Sequence, residues 1–171
     1  MIRLAGTSDV AGIWALMKSV TGLWDETWRT DVVARALASS ETIALVHHEG
    51  QMIDGFACAH DAGFRAYLSE FVVSPTSQGR GVGTRLLSEL ERRLADRGCS
   101  VVIADVWRDA EDFYRSRGWT PPAVVLLRKR LAATAAQPFA EADRASAFGT
   151  TFSLPLIGSP TEVHAQHVRG R

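Results

Sequence analysis

Seven residues in the middle of the chain, Gln78-Gly79-Arg80-Gly81-Val82-Gly83-Thr84, are the stretch best equipped for chemistry. An apolar, β-rich run over 67–73 precedes them, and Pro75 ends that run because proline has no ladder donor. After them Val82, Leu86, Leu87, Leu90 and Leu94 recur at helical spacing, with Glu89, Glu91, Arg92, Arg93 and Arg97 on the opposite side. A strand therefore feeds a glycine turn that opens an amphipathic helix. The first N–H groups of a helix have no partners in the chain, and the helix dipole there favours negative charge. Glycines let an anion approach that backbone closely, and Arg80 adds a charged donor. The pattern reads as a phosphate cradle; the alternative is a helix start that needs glycines only for a tight turn.

Spacing narrows the choice of phosphate. A P-loop requires a lysine that is not present here, and the dinucleotide fingerprint requires a third glycine where Thr84 stands. What is present is Gln-x-x-Gly-x-Gly, as Gln78, Gly81 and Gly83. Val72-Val73-Ser74-Pro75 lies before it and Phe113-Tyr114-Arg115-Ser116-Arg117-Gly118-Trp119 after it. Together these blocks resemble the GNAT superfamily of acyl-CoA N-acyltransferases, over roughly residues 2–131.

The resemblance implies an acetyl transfer from acetyl-CoA to a primary amine, by direct attack in a ternary complex. It implies that residues 78–84 (Gln78, Gly79, Arg80, Gly81, Val82, Gly83 and Thr84) hold the cofactor phosphates. It further implies that backbone N–H from Phe71, Val72 or Val73 polarises the thioester carbonyl. Phe113 and Tyr114 would lie against the cofactor arm, with the Tyr114 phenol reaching the sulfur as proton donor. The other reading of Tyr114 is a core tyrosine with its hydroxyl at the surface. Trp24, Asp25, Glu26 and Trp28 fall where such enzymes build one wall of the acceptor site, and acid beside aromatic suits a cationic amine. Core tryptophans with solvated acids are the plainer reading of the same residues. Many relatives carry an asparagine seven residues before the tyrosine; here Trp107 stands there, to shift the contact with the cofactor arm or to line the acceptor pocket.

Glu70 is read from the strand itself. Alternation puts it on the side of Leu68 and Val72, where apolar neighbours would raise its pKa towards that of a useful general base. A structural carboxylate, or a strand edge facing water with a water relay as base, are the alternatives. Cys58 and Cys99 lie outside the motifs, so no covalent nucleophile is expected.

These residues need a frame to hold them. A chain of 171 residues, 46% hydrophobic and 22% charged, suits one globular core. A net charge of +0 argues against a nucleic-acid partner. No run is apolar enough to span a membrane, and two isolated cysteines suit a reducing cytoplasm. The expected order is a strand at 2–4, helices from Val10 and Asp31, strands at 43–48, 53–60 and 67–73, the central helix, a fully covered strand at 101–106, a short helix and a last strand at 124–131. This is an α/β fold, with a mixed, mostly antiparallel central sheet and helices on both faces. The resemblance adds central strands that splay apart and admits a homodimer. Residues 1–131 form the expected acyltransferase domain. Residues 132–171, rich in Ala, Ser, Thr, Pro and Gly, read as a disordered or loosely attached tail, in which His164 and His167 lack a third metal ligand. A non-catalytic acyl-CoA sensor, and acetylation of a protein N-terminus, a lysine or aminoacyl-tRNA, remain as other functions.

Overall fold

The computed structural model describes residues 1–39, 42–50, 52–127 and 129; the tail expected over 132–171 lies outside them. The chain divides into two units, Met1–Pro121 and Pro122–Arg171. In the first, β1 (Ile2–Leu4) leads to α1 (Val10–Ser19) and α2 (Val32–Ala38). Then come β2 (Thr42–Glu49), β3 (Met52–Asp61) and β4 (Ala66–Val73), followed by α3 (Val82–Asp96), β5 (Val102–Ala104) and α4 (Glu111–Arg115). The sheet runs β1-β2-β3-β4-β5, antiparallel except where β5 joins β4 in parallel. In the second unit the described residues 122–127 and 129 form neither helix nor strand, so the strand expected at 124–131 is not formed there. Pro121 and Pro122 supply no ladder donors at its start.

Strand alternation sorts the core into two layers. Ile43, Leu45, Ala57, Ala59 and Leu68 pack with α3 and Tyr114 on one face. Ala44, Val46, Phe56, Cys58 and Val72 pack with Ile13, Leu16, Met17 and Val33 from α1 and α2 on the other. The five apolar residues of α3 identified by their spacing are all buried. Each such side chain contributes roughly 1.5–3 kcal/mol by leaving water.

The register of β4 corrects one reading of the strand. Cys58 pairs with Glu70 but Ala59 pairs with Leu68, which leaves Ser69 as an extra residue, a β-bulge. Leu68 therefore faces α3 while Val72 faces α1 and α2. Alternation resumes after the bulge, so Glu70 shares its side with Val72 and not with Leu68. One inserted residue reverses the facing of all that follows.

β5 is shorter than the expected 101–106. It pairs with β4 only at Ala66–Val102, Tyr67–Ile103 and Leu68–Ala104, and its residues are half-buried. The ladder stops where the bulge begins. Beyond Leu68 the edge of β4 has no partner among the described residues, so the two strands part.

Gly55 of β3 sets the height of α3 above the sheet. A Cβ there would stand 2.7 Å from Leu86 Cδ1, 3.0 Å from Val82 Cγ1 and 3.3 Å from His47 Cβ. Gly55→Ala is therefore expected to lower stability by roughly 1–3 kcal/mol in a urea titration. An unchanged midpoint would mean that α3 can ride higher at no cost.

Candidate functional site

The glycine turn meets α3 as a left-handed pair. Gly79 and Gly81 have φ of 71° and 75°, which L side chains rarely adopt, and Gly81 is the N-cap. No side chain caps this helix, and the amides of Val82, Gly83 and Thr84 find no acceptor among the described residues. Gln78 lies back against the strand end, its Nε2 donating to the Val73 carbonyl at 3.1 Å. A Cβ on Gly79 would meet nothing within 4 Å, so the turn is open to a ligand. Gly83 serves a different purpose. It has no left-handed backbone, but a Cβ on it would stand 3.4 Å from the Phe113 ring and 3.6 Å from Phe71. It admits the aromatic cluster below.

Arg80 was expected to be the charged donor of this turn, and it is engaged elsewhere. Its two terminal nitrogens donate to both carboxylate oxygens of Glu49, at 2.8 and 2.7 Å, from the end of β2. Both side chains are exposed.

Phe71 leads from the bulge into that aromatic cluster. Its ring centroid is 5.8 Å from Phe113 and 6.0 Å from Tyr114, and Tyr114 lies 5.2 Å from Trp119. Gly118, with φ of 86°, ends the helical turn and sends Trp119 back over Tyr114. There the Trp119 Nε1 donates to Glu91 of α3 at 2.7 Å, which fixes α4 against α3. Tyr114 is 6% exposed, and burial pushes its phenol up to about 12. Its hydroxyl has no bonding partner among the described residues, so it keeps its proton at neutral pH.

Glu70 lies on the far side of the same strand. Burial, with the Asp105 carboxylate as a second cause, pushes its carboxyl up to about 7. Asp105 in turn accepts the hydroxyl hydrogen of Tyr67. The bulge beside Glu70 is tied to the sheet. His60 Nε2 lies 3.1 Å from Ser69 Oγ, and His60 Nδ1 lies 2.8 Å from Thr42 Oγ1. Ser69 Oγ donates to the Cys58 carbonyl at 3.2 Å, so it accepts from an imidazole protonated at Nε2.

The tryptophans come together as a cluster of tilted and edge-to-face rings. Trp24 lies 4.5 Å from Trp14 and 5.4 Å from Trp28 between ring centroids. A cation already covers them: Lys18 Nζ stands 4.1 Å from the Trp14 ring and 5.1 Å from Trp24. Asp25 accepts from the Thr27 amide and hydroxyl in a local turn, and Glu26 is exposed. The Trp107 ring reaches the loop between α1 and α2, where it would lie 3.8 Å from a Cβ on Gly22. Sequence reasoning missed Glu49, Lys18, Asp105 and the His60–Ser69 tie. Glu49, Asp105 and the His60–Ser69 tie act through contacts between separate elements; Lys18 and Trp14 stand at i,i+4 on α1, a spacing that was legible.

Comparison with known proteins agrees with this geometry. The model of the acetyltransferase (GNAT) family matches residues 12–119, more than half of the chain. An uncharacterized ycf52-like N-acetyltransferase of Prochlorococcus marinus is 36% identical over 67 residues, which is 39% of this chain and 37% of that protein. The matched segment is thus little more than a third of that relative's length. Among solved structures, AAC(6')-Iy in complex with a CoA bisubstrate analog superposes with a TM-score of 0.64 at 20% identity, over 77% of this chain and 98% of that one. The ribosomal-protein-S18-alanine N-acetyltransferase of Escherichia coli gives 0.62 at 21%, over 69% and 76%. At such identities the likeness shows the fold. Among the described residues no helix is long and apolar enough to cross a membrane.

The state of Glu70 gives a stability signature that needs no substrate. Its proton is held more tightly in the folded chain, so folding is favoured below the unfolded value of 4.5 and loses that advantage as pH rises towards about 7. The loss is on the order of 3 kcal/mol. Glu70→Gln is expected to flatten this slope and to be more stable than wild type at alkaline pH in urea titrations. An unaltered slope would place Glu70 in water.

Proposed function

The chain belongs to the GNAT acetyltransferase family, and from that membership we propose that it transfers an acetyl group from acetyl-CoA to the primary amine of a small molecule in one ternary complex. The reading rests on one observation above all: the unpaired edge of β4 has the open glycine turn and Tyr114 on its α3 side and a carboxyl titrating near neutrality on its other side. Acetyl-CoA would bring an activated thioester carbonyl to that edge. Gln78, Gly79, Arg80, Gly81, Val82, Gly83 and Thr84 would hold its diphosphate; the uncapped helix start and the vacant space over Gly79 fit that group. Phe113 packs beside them, and backbone N–H on the free edge of β4, among Phe71, Val72 and Val73, would polarise the carbonyl oxygen.

Glu70 takes a proton from the acceptor ammonium at its carboxylate, and a pKa near 7 leaves it partly ionised at neutral pH. Tyr114 Oη keeps its proton for the departing sulfur. Cys58 is wholly buried, with burial pushing its thiol up to about 11, which disfavours an acyl-enzyme. Trp24, Asp25, Glu26, Trp28 and Trp107 form the acceptor side in this reading. Unpaired cysteines fit a reducing cytoplasm as the setting.

One observation favours a second reading, a non-catalytic acyl-CoA sensor. Lys18 already lies over the indoles that an amine would use. Melting-point titrations with acetyl-CoA, longer acyl-CoAs, CoA and NADH, followed by thiol release across an amine library, separate the two. Stabilisation by acetyl-CoA with thiol release supports the enzyme; stabilisation without release by any amine supports the sensor. Tyr114→Phe should lower kcat by roughly 10²–10⁴-fold with the Kd for CoA little changed. Equal losses in both would argue against a proton donor.

A further inference from the structure

Two arginines at this site have no carboxylate among the described residues: Arg85, exposed on the first turn of α3 with its Nη1 donating to the Arg80 carbonyl, and Arg117, which is less exposed. The described ion pairs engage Arg3, Arg29, Arg80, Arg92, Arg93 and Arg115, each with an aspartate or glutamate. Arg117 is partly buried, and every acceptor it has among the described residues is neutral. Nη1 donates to the Phe113 carbonyl and to Ser116 Oγ at 2.9 Å, and Nη2 donates to Thr84 Oγ1. Nε is buried with no acceptor among the described residues. The guanidinium carbon lies 3.8 Å from the centroid of the Phe113 ring, which holds the group flat against α4 and aims it at Thr84.

This placement is costly as it stands. A partly buried cation with only neutral acceptors gives up hydration without gaining a counter-charge, and Arg117 is bonded to the first turn of α3, where the helix dipole is also positive. Thr84 accepts from Arg117, so its own hydroxyl hydrogen is left to donate, beside the free amides of Val82, Gly83 and Thr84. Arg80, the cation expected in the turn, is held by Glu49. A bound anion would relieve the helix start, the Thr84 hydroxyl and the uncompensated guanidinium together.

We infer that Arg117 is a positioning residue for the cofactor diphosphate, supplying the cradle's positive charge through Thr84. The inference rests on the acyl-CoA reading above. It also joins two halves of the site: Arg117 follows Tyr114 by one turn, so a phosphate that draws on Arg117 also braces the helix that presents the phenol.

The test is calorimetric titration of the full chain with CoA and with pantetheine, which lacks the diphosphate. Arg117→Met keeps the stem and removes the charge. It should weaken CoA binding about tenfold and leave pantetheine binding unchanged. The CoA deficit should shrink from about 0.05 M to about 0.5 M salt, because screening shortens the reach of the charge. Arg117→Lys should recover most of the loss. A purely structural role would weaken both ligands alike, with no salt dependence, and that result overturns the inference; so does unchanged CoA affinity. If Arg117→Met does not fold, Arg117→Gln is titrated in its place: a selective, salt-dependent loss for CoA supports the inference, and an affinity equal to wild type for both ligands overturns it. A wild-type chain that binds no CoA overturns the acyl-CoA reading itself, and this inference with it. Wild-type binding with an unaffected Arg117→Met overturns the role of Arg117 alone.

Discussion

The extra residue in β4 is the constraint on which the site depends. Without Ser69 the strand would pair with its neighbours to its end and keep its side chains in register. With it, Phe71 turns to the aromatic cluster under α3, and Glu70 turns to the layer of α1 and α2. The ladder to β5 ends at the same point. A bulge exposes backbone and re-aims side chains in one move. His60, fixed between Thr42 and Ser69, ties that irregularity to the regular sheet on either side. Loss of regularity at one residue thus separates two chemical environments along a single strand.

Those environments differ in how they treat charge. On the α3 side a phenol is enclosed by rings and stays protonated. On the other side burial, with the exposed Asp105 carboxylate as a second cause, pushes the Glu70 carboxyl up to about 7. The same sheet therefore keeps one group protonated and brings another near neutrality. Gly55 belongs to this arrangement, because the close seat of α3 fixes where the uncapped helix start lies relative to the strand.

Much of this was legible in the sequence, for reasons that are local. The α3 stripe was visible because 3.6-residue periodicity and burial are the same fact seen twice. Gly79 and Gly81 were legible as a turn, since a left-handed backbone selects glycine. The side on which Glu70 sits was misjudged, because a bulge is set by the partner strand and leaves no trace in alternation. β5 was read too long for a similar cause: Val101 and Val106 are apolar, but pairing ends with β4's register and not with hydrophobicity. Glu49 escaped notice because it meets a partner brought near only by the fold. Arg117 stood in plain view within the Phe-Tyr block, yet nothing in its spacing sets it apart from Arg115. Only the neutrality of its surroundings does.

The Glu49–Arg80 pair carries one more consequence. Glu49 is an anion tethered by the chain itself, present at Arg80 at an effective concentration on the order of millimolar. A free chloride must compete with it one charge against one, and it lacks the second acceptor atom that makes the contact bidentate. A diphosphate brings several charges and can engage the helix amides before it contests Arg80. Any anion that draws Arg80 into the turn must first break a two-point contact with Glu49.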